Sequence, residues 1–107
     1  RAPIECRGDL FLSRPAKLDA EEVSQRLQSL SNWKLREGKL HRDFQFENFD
    51  GAFDFMTKVA KVAGKMDHHP EWWNVYNRVR VDLTTHDVGG VTSLDFDLAR
   101  AMNGFAA

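Results

Sequence analysis

Three of the four histidines lie close to the ends of the most regular segments of the sequence. His68 and His69 directly precede Pro70, and His86 follows the alternating segment 79–83. Imidazole has an ordinary pKa of about 6.5, so it can both give and take a proton near neutral pH. A positioned general acid or base accelerates a reaction by about 10²- to 10⁴-fold. The three histidines are therefore candidates for proton-transfer catalysis.

The placement of these histidines favours a rigid catalytic loop. Pro70 disfavours helical dihedrals at His69, so a preceding helix must end here and the two adjacent rings project from a stiff segment. If the alternation of segment 79–83 continues, His86 lies on the polar side of its strand and can face the same pocket as His68. The spacing therefore predicts that the three rings converge.

Carboxylates and indoles close to the histidines could complete such a site. Asp67 and Glu71 flank the pair, and either could fix the tautomer of an imidazole; we favour Asp67. Trp72 and Trp73 come next, and one indole could stack on a flat heteroaromatic ligand while the other lies in the core. Asp95 lies in the first turn of a predicted helix, where a capping role already accounts for it.

Two other interpretations of the histidines stay open at this point. Adjacent histidines before a proline can simply belong to a polar surface loop. Alternatively, His68, His69 and His86 with a water could form a catalytic zinc site. We expect no metal, because neighbouring rings rarely point at one ion and the sequence contains neither His-x-His nor His-x-x-x-His. His41 is interpreted as a structural residue.

The composition restricts the class of protein. A length of 107 residues with 42% hydrophobic and 11% aromatic residues suits one folded domain. The 15 Lys and Arg and 16 Asp and Glu give a net charge of −1, so we expect no direct nucleic-acid binding. No apolar run approaches the ~20 residues of a membrane helix, so we expect no membrane association. The single cysteine, Cys6, favours a reducing compartment; we expect a cytoplasmic protein, with the nucleus or an organelle left open.

Periodicity predicts five segments of regular structure. A helix capped by Asp19 spans 20–30, and a hairpin follows that turns at Glu37-Gly38. Apolar residues at helical spacing predict a second helix over 50–65. The alternation over 75–83 predicts one strand, and a third helix follows, capped by Thr92.

This order predicts an α+β domain over residues 18–107, preceded by an irregular N-terminal tail at 1–17. We expect an antiparallel sheet of three to four strands with three helices packed on one face. Such a sheet leaves open edges, and its second face still carries aromatic side chains, so we expect a homo-oligomer.

One string of residues resembles a known family. Asp67-His68-His69-Pro70-Glu71-Trp72, with Asn74-Val75-Tyr76-Asn77 and then Thr85-His86, resembles the pterin-4a-carbinolamine dehydratases. The resemblance extends from about Leu18 to the C terminus. It implies a sheet with three helices on one side and a homodimer or homotetramer. It also implies dehydration of 4a-hydroxytetrahydropterin to quinonoid dihydropterin, which recycles the pterin of aromatic amino acid hydroxylases, with no cofactor beyond the pterin substrate.

The resemblance also implies roles for individual residues. His68, His69 and His86 would be the catalytic set, and our hypothesis is that His69 and His86 transfer protons while His68 binds or orients the hydroxyl group. The residues implied to bind or shape the site of the pterin are Asp67, Pro70, Trp72, Thr85, Asp87, Val88 and Asp95.

The family suggests an alternative function and shows two departures. Animal members also bind a homeodomain transcription factor, hepatocyte nuclear factor, as a dimerisation cofactor, so an oligomeric interaction module with a transcription-factor partner is the alternative. Members commonly carry an acidic residue where this chain has Gly64, and some carry Arg where Leu94 stands. We expect the activity to be retained and the charge of the pocket to be altered.

Overall fold

A computed structural model describes residues 14–107. Residues 1–13, which include Cys6 and most of the predicted tail, lie outside the described residues. The elements in chain order are α1 Ala20–Leu27, β1 Lys34–Arg36, β2 Lys39–Gln45, α2 Phe49–Met66, β3 Glu71–Val75, β4 Arg78–Leu83, a short 3-10 helix His86–Val88, and α3 Ser93–Ala106.

The four strands form one antiparallel sheet in the order β1-β2-β4-β3. Because side chains alternate along a strand, one face carries the apolar residues of the core, and the other carries mostly polar residues together with Trp73 and Val75. The predicted α+β class with an antiparallel sheet and three helices is confirmed. The core between sheet and helices is built from the buried side chains of Val23, Leu40, Phe44, Phe55, Val59, Val79, Val81, Leu83, Phe96, Leu98 and Met102.

The single strand predicted over 75–83 is wrong. The structure has a two-residue turn at Tyr76-Asn77 that joins β3 to β4, and Val75 pairs with Arg78 across it. Tyr76 adopts a left-handed backbone conformation with a φ of 50°. The turn contains neither glycine nor proline, so the sequence carries no strong turn signal at this position. The alternation of apolar and polar residues therefore suggests one continuous strand.

Local capping explains where the helices begin. Asp19 and Glu22 form the capping box that the sequence predicted at α1. The Asn48 side chain accepts a hydrogen bond from the Gly51 amide at α2. A cap of this kind stabilises a helix by about 1 kcal/mol. The first helix is shorter than predicted, because it ends at Leu27 and residues 28–30 form a turn.

Candidate active site

The end of α2 sets the direction of the first two histidines. Asp67 caps the helix in the left-handed conformation, with a φ of 51°. The backbone amides of Asp67 and His68 donate to the carbonyls of Gly64 and Ala63, which satisfies the last turn of the helix. The chain then passes through His68 and His69 to Pro70 and enters β3. The histidine pair therefore lies on a short connection held at both ends.

A second closed loop presents His86. The backbones of Thr85 and Gly90 hydrogen-bond to each other in both directions, at 2.8 and 3.3 Å. Between them lies the 3-10 helix His86–Val88, which is capped at its C-terminal end by Gly89 with a φ of 72°. This clamp fixes the position of His86 relative to the end of β4.

The structure brings all three histidines to one cavity. His68, His69 and His86 line a cavity of about 140 Å³ at the surface. His68 is buried, whereas the side chains of His69 and His86 are exposed. Within residues 14–107, the ring of His69 has no hydrogen-bond partner. The other residues that line the cavity are Arg14, Asp67, Thr84, Thr85 and Asp87.

His68 is held by a buried carboxylate. Its Nε2 lies 2.5 Å from Oδ1 of Asp95, which is completely buried. The other carboxylate oxygen accepts hydrogen bonds from the Thr85 hydroxyl and the Thr92 amide, both at 2.9 Å. An ionised carboxylate only accepts hydrogen bonds, so the proton of the first contact belongs to His68 Nε2 and its Nδ1 is free to accept one in the neutral ring.

This arrangement shows which groups Asp95 contacts. It does cap α3, as the sequence indicated, because it completes a capping box with Thr92. The predicted contact between Asp95 and a substrate stays a prediction. In this structure the carboxylate has no exposed surface and both of its oxygens are hydrogen-bonded, so its contact with the lining of the cavity is made by His68 and Thr85. Thr85 is likewise buried, and its hydroxyl group bonds to Asp95 and Thr92.

Glu71, and not Asp67, is the flanking carboxylate that contacts a catalytic candidate. Its Oε2 lies 2.8 Å from Nε2 of His86, and its Oε1 accepts a hydrogen bond from Lys39 Nζ at 2.6 Å. The Lys39 ammonium lowers the pKa of Glu71 below its ordinary value, and His86 lowers it further. The preference for Asp67 was wrong, because its exposed side chain lies 3.7 Å from Arg14 instead.

Three of the residues that the resemblance assigns to the pterin site, Pro70, Trp72 and Val88, are not in the lining of the histidine cavity. Trp72 is on the face of the sheet that the helices cover and packs against the core, so it is not part of the cavity wall. Trp73 is exposed on the opposite face, beneath the guanidinium of Arg80. Pro70 is half-buried beside the cavity, and Val88 lines a neighbouring cavity.

Gly64 and Leu94, the two departures from the family pattern, are not in the lining of the histidine cavity. Gly64 lies in the last turns of α2, with open space around the position of a side chain. Leu94 is half-buried and lines the same neighbouring cavity as Val88. Neither residue supplies a charge to the histidine cavity. His41 is also outside the cavity, buried between Asp82 and Asp43 at 2.8 and 3.3 Å.

The zinc alternative can be compared with the residues that the structure describes. Within residues 14–107, no three His, Cys, Asp or Glu side chains converge in the way that a metal ion requires. Over the same residues, no helix combines the length and the hydropathy that a bilayer crossing needs.

Comparisons with known proteins agree on one family. The model of the family described as pterin 4 alpha carbinolamine dehydratase matches residues 16–105. A relative from Chelativorans sp. named pterin-4-alpha-carbinolamine dehydratase is 55% identical over 93 residues, which cover 85% of this chain and 95% of that protein. A relative of the same name from Solibacter usitatus is 50% identical over 91 residues, covering 85% of this chain and 96% of that protein.

A solved structure shows the same fold. The crystal structure of a transcriptional coactivator/pterin dehydratase from Brucella melitensis superposes with a TM-score of 0.83 at 45% identity. The match covers 85% of this chain and 99% of that one.

Proposed function

The chain belongs to the pterin 4 alpha carbinolamine dehydratase family and is a dehydratase, a hydro-lyase, and we propose that its histidine cavity dehydrates 4a-hydroxytetrahydropterin to quinonoid dihydropterin by general acid–base catalysis. The observation that carries the proposal is that His68, His69 and His86 line one cavity. We also propose that this reaction recycles the pterin of aromatic amino acid hydroxylases, as the family resemblance implies.

The chemistry of a carbinolamine matches the residues present. Such a compound carries a hydroxyl group and an amine nitrogen on the same carbon. The C–O bond breaks, water leaves with one delivered proton, and the nitrogen loses its proton as the C=N bond forms. No electrons are exchanged with a second molecule, so two imidazoles acting on opposite sides of the reacting carbon suffice. We therefore propose that no cofactor beyond the pterin substrate takes part.

His68 is suited to orient the hydroxyl group. Because Asp95 accepts the proton on Nε2, the neutral ring presents Nδ1 as an acceptor for the carbinol O–H. Burial of both partners fixes the ring orientation before the substrate binds, which reduces the cost of reaching the reactive geometry. In this proposal His68 binds the hydroxyl and does not itself transfer the proton that leaves as water.

The two exposed imidazoles are suited to move protons. Oε2 of Glu71 lies 2.8 Å from Nε2 of His86 and a carboxylate at this distance can hold the orientation of the ring, so His86 is assigned the general acid that protonates the leaving hydroxyl. His69, whose ring has no partner within residues 14–107, is assigned the base that removes the proton from nitrogen. Both rings exchange protons with solvent between turnovers because both are exposed.

Stopped-flow dehydration of chemically generated carbinolamine tests this assignment. We expect the wild type to accelerate water loss, and His69→Ala to lose about 10²- to 10⁴-fold in kcat. Arg100→Ala, which removes an exposed ion pair with Asp97 on α3, serves as a control and should keep full activity. A wild-type protein without activity, or a His69→Ala variant as fast as Arg100→Ala, would contradict the proposal.

We further propose that the chain forms a homo-oligomer with the sheet edge at β3 in the interface. β1 and β3 are the two edge strands of the sheet, and unpaired edge strands can pair with a second chain. Trp73, Val75 and Tyr76 are exposed along β3 and its turn. Light scattering on the purified protein gives the number of copies, and Val75→Lys should lower it. A monomer, or a Val75→Lys protein with unchanged mass, would refute this interface.

A coactivator role is the second candidate function. It is favoured by the Brucella melitensis protein, described as a transcriptional coactivator/pterin dehydratase. A homeodomain transcription factor is the partner class that the family resemblance implies. Binding of purified candidate factors to the wild type and to His69→Ala would separate the two roles, because a docking role does not need the imidazole of His69.

A further inference from the structure

One guanidinium at the histidine cavity comes from outside the segment that the family model matches. That segment begins at residue 16, whereas Arg14 lines the cavity together with the three histidines. Its side chain is 25% exposed, so most of it is covered by the loops around it. Arg14 is not explained by the proposed dehydration mechanism.

Arg14 contacts both loops that carry the histidines. Its Nε donates to Oδ2 of Asp87 at 3.2 Å, one residue after His86. Its terminal nitrogen donates to the backbone carbonyl of Asp67, directly before His68, and lies 3.7 Å from the carboxylate of Asp67. The two loops belong to distant parts of the chain, and the planar guanidinium can serve both because its several donors point in fixed directions.

The segment that carries Arg14 is anchored next to the same loops. The Leu18 amide donates to the Val91 carbonyl at 2.9 Å. The Lys17 side chain covers Gly90 so closely that a Cβ there would lie 2.6 Å from Lys17 Cε. A side chain at position 90 would therefore require the Lys17 side chain to move. These contacts of Leu18 and Lys17 hold the segment that places Arg14 at the cavity.

We propose that Arg14 is a positioning residue for the dehydration reaction, which ties the loop of His68 and His69 to the 3-10 helix of His86 and so sets the separation of the two proton-transferring rings. This inference rests on the proposed function. Reaction rates are sensitive to such spacing, since a displacement of about 1 Å can cost about 10²-fold in rate. The pairing is partly exposed and involves two carboxylates, so salt should weaken it.

Steady-state kinetics on Arg14→Ala, Arg14→Lys and the control Arg100→Ala test the inference. We expect Arg14→Ala to lower kcat by about tenfold with a smaller change in KM. Arg14→Lys should recover only part of this loss, because one ammonium cannot reproduce the fork of donors. Added guanidinium at millimolar concentration should restore part of the activity of Arg14→Ala and none to Arg100→Ala. An unchanged kcat, a change confined to KM, or full rescue by lysine would overturn the inference.

Two further measurements keep the test separate from the proposed function. A double-mutant cycle of Arg14→Ala with Asp87→Asn should be non-additive in kcat, and additivity would refute the pairing. Amide hydrogen exchange needs no turnover. In Arg14→Ala, exchange should become faster at residues 67–69 and 86–88 and remain unchanged in α1, whereas equal protection in both proteins would refute the inference even if the wild type proved inactive.

Discussion

His68 Nε2 lies 2.5 Å from Oδ1 of Asp95, although 27 residues separate the two in sequence. This contact links the loop after α2 to the first turn of α3, so one carboxylate both caps a helix and orients a ring of the cavity. Helix geometry at Thr92 and ring orientation at His68 are therefore not independent. A change at Asp95 should affect stability and reaction rate together.

Asp95→Asn should lower both quantities. The carboxylate faces donors with both oxygens, namely His68 Nε2 on one side and the Thr92 amide with the Thr85 hydroxyl on the other. An amide group presents an NH₂ to one of these sides in either orientation, so at least one buried hydrogen bond is lost. We expect the free energy of unfolding in urea to fall by about 1–3 kcal/mol and kcat to fall at least about tenfold.

The control for Asp95→Asn is Asp97→Asn, two residues further along α3. Asp97 is exposed and pairs with Arg100, so this change should leave both the unfolding curve and kcat nearly unchanged. If Asp95→Asn behaves like Asp97→Asn in both measurements, the carboxylate does not position His68.

The sequence was sufficient to predict the fold class but not every strand. Capping boxes and apolar spacing are local, so the helices at Asp19 and Thr92 could be read directly. The hairpin at Tyr76-Asn77 could not, because a left-handed tyrosine is an unusual choice for a turn. The sequence does contain one indication of the first strand of this hairpin. The paired indoles followed by polar residues fit a strand that has one face in the core.

The candidate site was predictable in its histidines but not in their partners. His68 and His69 are marked by the proline after them, and His86 by the end of a regular strand. Glu71 and Asp95 act through contacts that depend on how the sheet and α3 pack, and no local pattern encodes these distances. Arg14 lies in a segment that had no regular pattern at all, so its position became apparent only in the structure.

Asn103 should be the polar residue of α3 that contributes most to stability away from the site. Its Oδ1 accepts hydrogen bonds from Trp33 Nε1 at 2.7 Å and from Arg42, and its Nδ2 donates to the carbonyl of Ser31. Asn103→Ala leaves the indole N–H of a buried tryptophan without a partner. We expect the free energy of unfolding to fall by about 1–3 kcal/mol, measured by urea denaturation.

Asn103→Asp provides the matched comparison. Aspartate keeps the acceptor for Trp33 and Arg42 and loses only the donor to Ser31, so it should retain most of the stability. An alanine variant as stable as the aspartate variant would show that the acceptor contributes nothing.

Gly64→Ala should stabilise the protein. Gly64 lies within α2, its φ is not positive, and a Cβ there would meet no atom within 4 Å. Alanine restricts the unfolded chain and favours the helix, so the free energy of unfolding should rise by about 0.5–1 kcal/mol in urea denaturation. Gly38→Ala is the opposite case, since it also has space but has a φ of 78°, and it should destabilise. Shifts of the same sign in both variants would contradict the backbone argument.

Glu71→Gln should change how stability depends on pH. The hydrogen bond from Lys39, and then the contact with His86, hold the pKa of Glu71 below its ordinary value of 4.5. A carboxyl group with a lowered pKa in the folded state stabilises the protein above its unfolded pKa, and this contribution disappears as the pH falls through the folded value. Wild type should therefore be more stable than Glu71→Gln at pH 7, and the difference should shrink as the pH falls below 4.5.

Unfolding in urea at several pH values between 3 and 7 measures this difference, with Glu47→Gln as a charge-matched control at an exposed site in the loop before α2. The control should show no comparable pH dependence. Because the same carboxylate contacts the ring of His86, Glu71→Gln should also lose several-fold in kcat at neutral pH, whereas Glu47→Gln should not. A stability difference that stays constant from pH 7 to pH 3 would mean that the cluster of Lys39, Glu71 and His86 does not hold the carboxylate ionised.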